Sequence, residues 1–264
     1  MLTRPTRDER STMVTTATDS VEQAPGILAG QTVVVLGGSS GIGLETARAT
    51  KLAGARVVIT GRNVDRLVAA GAQVHATTAV LHLTDAAEIG DFFAGLPAPA
   101  DHVLVSGGGP TYASIADLDL DLARTVLEEH LLGSLTVARA CVSGVRPGGS
   151  LTFVTGTHAR RPGPGLSIAA VLAAAVPALV ANAAVELAPT RVNAVEAGFV
   201  DTELSARLLG DQRDRRLEEL RETLPIRRVV GPGDVVATAL HLMTNTAITG
   251  ATLDVDGGQQ LVPG

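Results

Sequence analysis

A chain of 264 residues is long enough to form one large α/β domain with a well-buried core. Its 27 acidic and 21 basic residues give a formal net charge of −6, a balance that disfavours a nucleic-acid partner. Cys141 is the sole cysteine, which excludes an intrachain disulfide and a cysteine-cluster metal site, so we predict a cytoplasmic protein without a metal.

The first part of the chain differs in composition from the rest. Residues 1–27 are polar, rich in threonine and mixed in charge, and they contain no apolar stretch typical of a secretory signal. We expect residues 1–27 to form a disordered tail and residues 28–264 to form a single domain.

Short apolar segments alternate with helical segments along the remaining chain. This alternation predicts right-handed βαβ units and an α/β, doubly wound parallel sheet of about seven strands with helices on both faces. The predicted strands are 32–36, 56–60, 79–81, 103–105, 151–155, 191–195 and 252–255. The predicted helices are 42–53, 63–71, 85–95, 117–142, 166–188 and 233–244, and the charged segment 211–220 predicts a solvated helix over the mouth of the site. In such a sheet a ligand binds at the carboxyl ends of the strands.

The turn after the first predicted strand is the most informative part of the sequence. A glycine-rich run, 37–43, follows four apolar residues and leads directly into a segment of helix-forming composition. N–H groups at a helix start and the helix dipole favour an anion, and glycine lets a phosphate approach the main chain. The spacing Gly37-x-x-x-Gly41-x-Gly43 lacks the lysine of a P-loop, so we predict a nucleotide pyrophosphate site, the alternative being a purely structural turn.

Four motifs in matching order resemble the short-chain dehydrogenase/reductase family over about residues 31–260. They are 37–43, the segment 106–109 after the fourth strand, 192–202, and the closing segment 249–258. The resemblance implies a Rossmann-type fold that binds a nicotinamide dinucleotide and acts on a small-molecule substrate. It places cofactor contacts at Gly37, Ser39, Ser40, Gly41, Ile42, Gly43, Ser106, Gly107, Gly108, Gly198, Val200 and Thr202.

The residue after the second predicted strand indicates which dinucleotide is bound. An acidic residue there binds a ribose 2′-hydroxyl, whereas an arginine suits a 2′-phosphate. Arg62 therefore predicts NADP(H), the alternative being a solvated loop arginine. Two positions depart from the family pattern: His82 stands where the resemblance implies an aspartate beside the adenine, and Ala197 where proline is usual.

The resemblance also implies a tyrosine with a lysine four residues later, a serine and an asparagine that together handle the proton. The corresponding positions hold Ala169, Ala173, Gly156 and His130. No neighbouring tyrosine or lysine exists that a one-residue shift of the alignment could restore. All four usual groups are therefore missing.

Several other residues are candidates for the missing proton donor. A histidine titrates near neutral pH, a threonine hydroxyl can bind a substrate oxygen, and a carboxylate gains a raised pKa when it is buried. The candidates are His130, Thr155, Thr157, His158 and Glu196. The alternatives are a core histidine for His130 and an exposed loop histidine for His158.

Two further groups are weaker candidates. Tyr112 has no adjacent cation, so the pKa of its phenol is expected to stay near ~10. Arg160 and Arg161 could bind an anionic substrate, but solvated side chains are the default expectation.

Two functions remain open at this point. The first is an NADP(H)-dependent oxidoreductase that acts on a carbonyl or alcohol through a non-standard active site. The second is a related protein that binds NADP(H) without dehydrogenase activity, as a partner or sensor subunit or as a non-redox isomerase or lyase.

The resemblance also implies a homodimer or homotetramer packed through 117–142 and 166–188. We expect the alanine-rich segment 166–188 to be a core or interface helix and not a membrane span.

Overall fold

The computed structural model describes residues 26–262, so nearly all of the predicted tail and residues 263–264 lie outside the described residues. The strands are β1 (Thr32–Leu36), β2 (Arg56–Gly61), β3 (Thr77–Val80), β4 (Ala100–Val105), β5 (Val145–Gly156), β6 (Arg191–Ala197) and β7 (Thr252–Val255). They form one sheet in the order β3-β2-β1-β4-β5-β6-β7, and every neighbouring pair is parallel. The predicted doubly wound sheet of seven strands is confirmed.

The α-helices of the described residues connect these strands. They are α1 (Gly41–Leu52), α2 (Val64–Val74), α3 (Ala86–Ala94), α4 (Leu120–Leu127), α5 (Gly133–Gly144), α6 (Ser167–Glu186), α7 (Glu203–Leu209), α8 (Arg213–Thr223) and α9 (Pro232–Thr244).

Alternate residues of β1 begin the two main cores, one on each face of the sheet. Val34 and Leu36 pack with side chains of α3, α5 and α6, whereas Val33 and Val35 pack with side chains of α1, α2 and α9. All four are fully buried, as expected for a central strand that is covered on both faces. The strand order reverses between β1 and β4, so the carboxyl ends of these two strands form the crevice in which ligands bind in such sheets.

The helix predicted over 117–142 differs from the one observed. It begins at Leu120, because the side chain of Asp119 accepts hydrogen bonds from the first free N–H groups. A π-helical turn, Glu128–Leu132, then separates α4 from α5, which ends at Gly144. This turn matters for the site because it contains His130.

Other predicted bounds also change. The third strand spans 77–80 instead of 79–81, since Thr77 already pairs with Val58 of β2. The helix α7 was not predicted; it begins with a capping box in which Thr202 and Ser205 bond to each other's backbone N–H groups. The charged segment predicted as a solvated helix is α8, although Leu217 and Leu220 on one of its faces are buried.

The helix α6 is the apolar segment predicted to be a core or interface helix. By length and composition alone it is the helix in residues 26–262 that could cross a membrane, with a mean hydropathy of 2.2. In the fold it packs against β5 and β6 and buries Val180 and Ala183 beneath the sheet. Part of the apolar surface of α6 is therefore buried within the domain.

A buried histidine stands at the start of β4, far from the crevice. The ring of His102 shares hydrogen bonds with the Oγ atom of Ser150 at 2.8 Å and the Oε1 atom of Gln31 at 2.7 Å. Only 3% of His102 is exposed, and burial lowers its pKa to about 4. The neutral imidazole is therefore the form that the fold accommodates.

We expect acid to destabilise the fold through His102. Its folded pKa of about 4 lies below the unfolded value of 6.5. The unfolded state therefore binds more protons between these values, and stability falls as the pH drops through this window. The full loss below the window is about 3 kcal/mol, whereas above it His102 contributes no pH dependence.

Urea unfolding across the window, compared with unfolding at neutral pH, measures this loss. His102→Gln keeps a hydrogen-bonding side chain but cannot titrate, so its stability should decline less on acidification than that of the wild type. The exposed His241→Gln serves as the matched control and should keep the wild-type slope. Identical slopes for His102→Gln and the wild type would contradict the assignment.

Candidate cofactor and active site

The turn between β1 and α1 packs directly against the turn after β4. Gly37 has a φ of +83°, and a Cβ atom added to it would lie 2.8 Å from the Cα and N atoms of Gly107. A Cβ atom on Gly43 would collide with the carbonyl oxygen of Gly37. Glycine at these positions is therefore required by the fold itself, and the same close approach leaves the backbone open to a ligand.

The N-terminus of α1 lies at this crevice without a side-chain cap. Ser40 is the N-cap residue, but its hydroxyl makes no capping hydrogen bond and the first turn contains no acidic residue. The side chain of Ser39 turns towards Gly61 at the end of β2, and the partly buried Ile42 packs against the core. The uncapped N–H groups and the helix dipole suit a pyrophosphate.

Arg62 is not solvated on its own, which was the alternative in the sequence. Its Nη1 atom lies 2.9 Å from the Oε1 atom of Glu129, in the π-helical turn before α5. The Arg62 side chain is 58% exposed, whereas that of Glu129 is 18% exposed. The guanidinium therefore remains accessible to a phosphate while it is paired to a carboxylate.

The other predicted cofactor residues lie at or near the crevice in different ways. The N–H group of Ser106 donates to the Leu36 carbonyl at 2.8 Å, and Gly108 has a φ of +79° and lies against the His130 ring. A Cβ atom on Gly198 would lie 2.7 Å from the Cβ atom of Asp256, so close packing also explains this glycine.

The segment after β6 brings one predicted residue back to the glycine turn. Val200 is buried in the core, whereas the Thr202 side chain lies about 3.9 Å from where a Cβ of Gly41 would stand. The Nη2 atom of Arg213 donates to both carboxylate oxygens of Asp201, at 2.8 and 2.9 Å. This ion pair fixes α8 beside the start of α7. Leu204 of α7 then covers Gly109, so α7 lies over the crevice.

His130 is held in the π-helical turn with its ring packed on Gly108. Burial lowers its pKa, an effect that Glu129 opposes and Arg62 reinforces. Its backbone carbonyl accepts a hydrogen bond from the Ser134 hydroxyl at 2.5 Å. The Ser134 hydroxyl thus bonds to the carbonyl one helical turn before it.

His130 and Thr155 meet at a small cavity of about 50 Å³ beneath the crevice. Such a volume has room for a few water molecules but not for a substrate. Its remaining lining includes Ser134, Phe153, Leu172 and Val176. His130 and Thr155 therefore line the same cavity. For either to act on a substrate, a water molecule must connect them or the surrounding side chains must move.

The ring of His158 fills the space that a side chain at position 156 would occupy. A Cβ atom added to Gly156 would lie 2.5 Å from Nδ1 and 2.7 Å from Cε1 of His158. A side chain at position 156 and the imidazole as placed here therefore exclude one another. Ala169 and Ala173, which stand where the resemblance implies tyrosine and lysine, are buried in α6.

Tyr112 and His158 form a pair at the mouth of the crevice. The Oη atom of Tyr112 lies 3.2 Å from the Nε2 atom of His158, and the two ring centroids are 5.9 Å apart. Burial lowers the pKa of His158 and raises the pKa of Tyr112. The expectation of an unchanged tyrosine pKa was therefore wrong, and at neutral pH the pair consists of a protonated phenol and a neutral imidazole.

Glu196 is buried in β6 and paired to a cation. Its side chain is 3% exposed and forms an ion pair with Arg160, whose guanidinium also bonds to Asp254 of β7. Burial raises the pKa of Glu196, and Arg160 opposes that shift. The prediction that Arg160 is simply solvated was wrong, because a buried carboxylate in β6 needs a partner.

The same contacts fix the segment that contains His158. Arg160 lies two residues after His158, and the N–H group of Thr157 donates to the Ala197 carbonyl at 3.2 Å. Arg161, also expected to be solvated, donates to the Gln259 carbonyl at 2.8 Å. Residues 157–161 are thus attached to β6 and to the C-terminal segment at several points.

Sequence reasoning did not single out Glu129 or Asp254, the partners of Arg62 and Arg160. Asp254 lies in a predicted strand, which was the one available signal for it. In the structure that strand pairs with β6, and Asp254 lies opposite Glu196. For Glu129 no sequence signal existed, because two strands and three helices lie between Arg62 and the turn that contains Glu129.

A sequence model of a family described as enoyl-(acyl carrier protein) reductase matches residues 37–260, which include all of these site residues. The chain belongs to the short-chain dehydrogenase/reductase family. A pig (Sus scrofa) protein named dehydrogenase/reductase SDR family member 4 is 33% identical over 247 residues, covering 88% of both chains.

Solved short-chain dehydrogenase/reductase structures share the fold. MalC, a reductase/Diels-Alderase from Malbranchea aurantiaca, superposes with a TM-score of 0.84 and 25% identity, covering 90% of this chain and 99% of MalC. A Pseudomonas aeruginosa PAO1 short chain oxidoreductase, solved with NADPH bound and described as containing an atypical catalytic center, gives a TM-score of 0.79 at 25% identity. That match covers 86% of this chain and 96% of the Pseudomonas protein.

Membership of the short-chain dehydrogenase/reductase family makes this protein part of a family of oxidoreductases that bind a nicotinamide cofactor and act on small molecules. The residues at the crevice fit such a cofactor. The glycine turn at 37–43 and the uncapped α1 N-terminus offer backbone N–H groups to a pyrophosphate, and Arg62 offers an accessible cation.

We expect Gly156→Ala to displace the His158 ring. The added Cβ occupies the volume of the imidazole, so the ring must move outwards and lose burial. The pKa of His158, which burial lowers, should then rise towards its ordinary value. Titration of the His158 ring signals by NMR measures this rise.

Gly90→Ala is a matched control for this change. Gly90 lies in α3, and no atom stands within 4 Å of the position of its Cβ. This variant should leave the His158 titration unchanged. An unaltered titration in Gly156→Ala as well would show that the ring does not depend on the missing side chain.

Proposed function

We propose that this protein is an NADP(H)-dependent oxidoreductase that acts on a carbonyl or alcohol substrate through a non-standard active site. The observation that carries the proposal is the position of His158. Its imidazole takes the volume next to Gly156 and contacts Tyr112, so a group able to donate a proton stands where the family's serine is missing.

Arg62 is the basis for the choice of NADP(H). It follows β2 at the edge of the crevice, its side chain is accessible, and a guanidinium can bind a 2′-phosphate through two parallel hydrogen bonds. The backbone of 37–43 would hold the pyrophosphate, and Thr202 lies beside the same turn. When bound, the reduced cofactor would supply the hydride for the carbonyl carbon.

The proton for the substrate oxygen would come from the His158–Tyr112 pair. With Tyr112 Oη–H donating to Nε2, the neutral imidazole carries its proton on Nδ1, the atom nearest Gly156. The Nδ1–H group donates to the substrate oxygen and transfers its proton as negative charge develops there. The phenol proton moves to Nε2, and the half-exposed Tyr112 is reprotonated from water.

In this scheme Glu196 and Arg160 are positioning residues. The buried ion pair and the second bond to Asp254 hold the turn that contains His158 against β6 and β7. His130 and Thr155 line the small cavity beneath the crevice and act, at most, through water held there. Thr157 is fixed by its backbone bond to Ala197.

A second function has its own support. Ala169 and Ala173 provide neither a proton donor nor a cation that lowers a phenol pKa, so the cofactor could be bound without turnover by the usual chemistry. One structural relative, MalC, is named a reductase/Diels-Alderase, which joins a reductase to a non-redox reaction. NADPH binding without consumption against a broad carbonyl panel would favour this alternative over dehydrogenase activity.

We also propose a cytoplasmic homodimer or homotetramer that packs through α5 and α6. A groove of about 510 Å³ runs between these helices, lined by apolar side chains including Leu135, Ala138 and Val142. Val142 and Val185 are exposed on the two helices. A second copy would remove this apolar surface from water.

We expect Arg62→Ala to weaken NADPH binding on the order of 10–100-fold while changing NADH binding by no more than about two-fold. The reason is that only NADPH carries the 2′-phosphate. Fluorescence titration of both cofactors measures the two Kd values. Arg56→Ala removes an arginine from the opposite end of β2 and should change neither; equal weakening of NADPH and NADH by Arg62→Ala would refute the assignment.

We expect His158→Gln to lower kcat for NADPH-dependent carbonyl reduction by about 100-fold, since proton transfer by a positioned group contributes on the order of 10²–10⁴. Tyr112→Phe should lower it less and remove the fall in rate at alkaline pH, because the raised pKa of Tyr112 sets that limb. Absorbance of NADPH across the pH range measures both effects.

The exposed His241→Gln is the control for these variants and should keep the wild-type rate. Wild-type turnover that His158→Gln leaves unchanged would exclude His158 as the proton donor. Cofactor affinity should stay constant in both active-site variants, because neither residue lies at the glycine turn.

A further inference from the structure

The ion pair between Arg62 and Glu129 joins the two sides of the adenosine half of the crevice. Arg62 follows β2, and Glu129 lies in the π-helical turn beside α5, which packs on the opposite side of the β1–β4 switch point. The Nη1–Oε1 distance is 2.9 Å, and Glu129 is the more buried partner. The Glu129 carboxylate is therefore largely buried, whereas the Arg62 side chain is largely exposed to solvent.

A 2′-phosphate and the Glu129 carboxylate would compete for the same guanidinium. Both are anions that bind arginine through oxygen atoms, so a 2′-phosphate must displace the carboxylate to pair fully with Arg62. The 2′-hydroxyl of NADH carries no charge and does not compete for the guanidinium. Glu129 therefore opposes one cofactor and not the other.

The neighbouring residue couples this pair to the rest of the site. His130 follows Glu129 and packs on Gly108, at the turn after β4. Glu129 raises the pKa of His130 and Arg62 lowers it, although burial dominates. Any ligand that draws Arg62 away from Glu129 changes the charge that His130 experiences.

We propose that Glu129 is a specificity-determining residue, which weakens the preference for NADP(H) over NAD(H) by holding Arg62 in competition with the 2′-phosphate. This inference rests on the proposed NADP(H) function and concerns the same site. Its consequence is unusual for a residue near a cofactor, because removing the carboxylate should improve binding.

The test measures Kd for NADPH, NADH and adenosine 2′,5′-bisphosphate by titration of the full chain. Glu129→Gln should tighten NADPH and the bisphosphate about five-fold, the effect of roughly 1 kcal/mol expected for a partly exposed ion pair, and change NADH by less than about two-fold. Glu128→Gln removes the same charge from the adjacent, exposed residue and should leave all three Kd values unchanged.

Two further variants separate competition from general repulsion. Glu129→Asp keeps the charge but shortens the side chain away from Arg62, so it should give part of the gain. In an Arg62→Ala background, Glu129→Gln should change the Kd for NADPH by less than about two-fold, because no arginine is left to release. The NMR signals of the His130 ring should also shift more with NADPH than with NADH.

The outcomes distinguish this inference from the proposed function. If the wild type binds NADPH and Arg62→Ala weakens it, but Glu129→Gln fails to tighten it, the cofactor assignment stands and the role of Glu129 is refuted. Equal tightening of NADPH and NADH also refutes it. If the wild type binds neither cofactor, both proposals fail together.

Discussion

The backbone of the turn after β1 lies against the backbone of the turn after β4, and the site is arranged around this contact. Gly37 approaches Gly107 so closely that it cannot be exchanged for a residue with a side chain without moving the backbone of Gly107. The contact brings together the carboxyl ends of the two strands at which the sheet order reverses. The uncapped start of α1 lies on one side of it, and Gly108 with the His130 ring lies on the other.

At the other end of the crevice, the proposed chemistry depends on which side chain occupies the volume beside Gly156. Gly156 leaves that volume empty, and the His158 ring enters it from two residues further along the chain. Glu196, which a sequence reading offers as an acid or base, instead pairs with Arg160 because a buried carboxylate requires a counter-charge. The resulting ion pair joins Glu196 of β6 to Arg160 in the segment after β5, and it holds the turn that contains His158.

Much of the fold follows from local patterns. Alternating apolar strands and helices predict the parallel sheet, and the strand–glycine–helix order predicts where a phosphate would bind. The bounds of the helix over 117–142 were wrong because Asp119 caps its start and a π-helical turn interrupts it, features that apolar periodicity does not reveal. The short helix α7 was missed because its capping box carries serine where the usual pattern has glutamate or glutamine.

The sequence by itself determined the sheet and the glycine turn, because each is expressed in neighbouring residues. It also determined which residues, Ala169, Ala173, Gly156 and His130, stand where the resemblance implies the usual catalytic groups. Only the tertiary structure decided which groups meet: Tyr112 with His158, Arg160 with Glu196 and Asp254, and Arg62 with Glu129. These partners lie far apart along the chain and are brought together by strand order and register. Their pairing follows from buried charge and occupied volume, and neither quantity exists until the chain has folded.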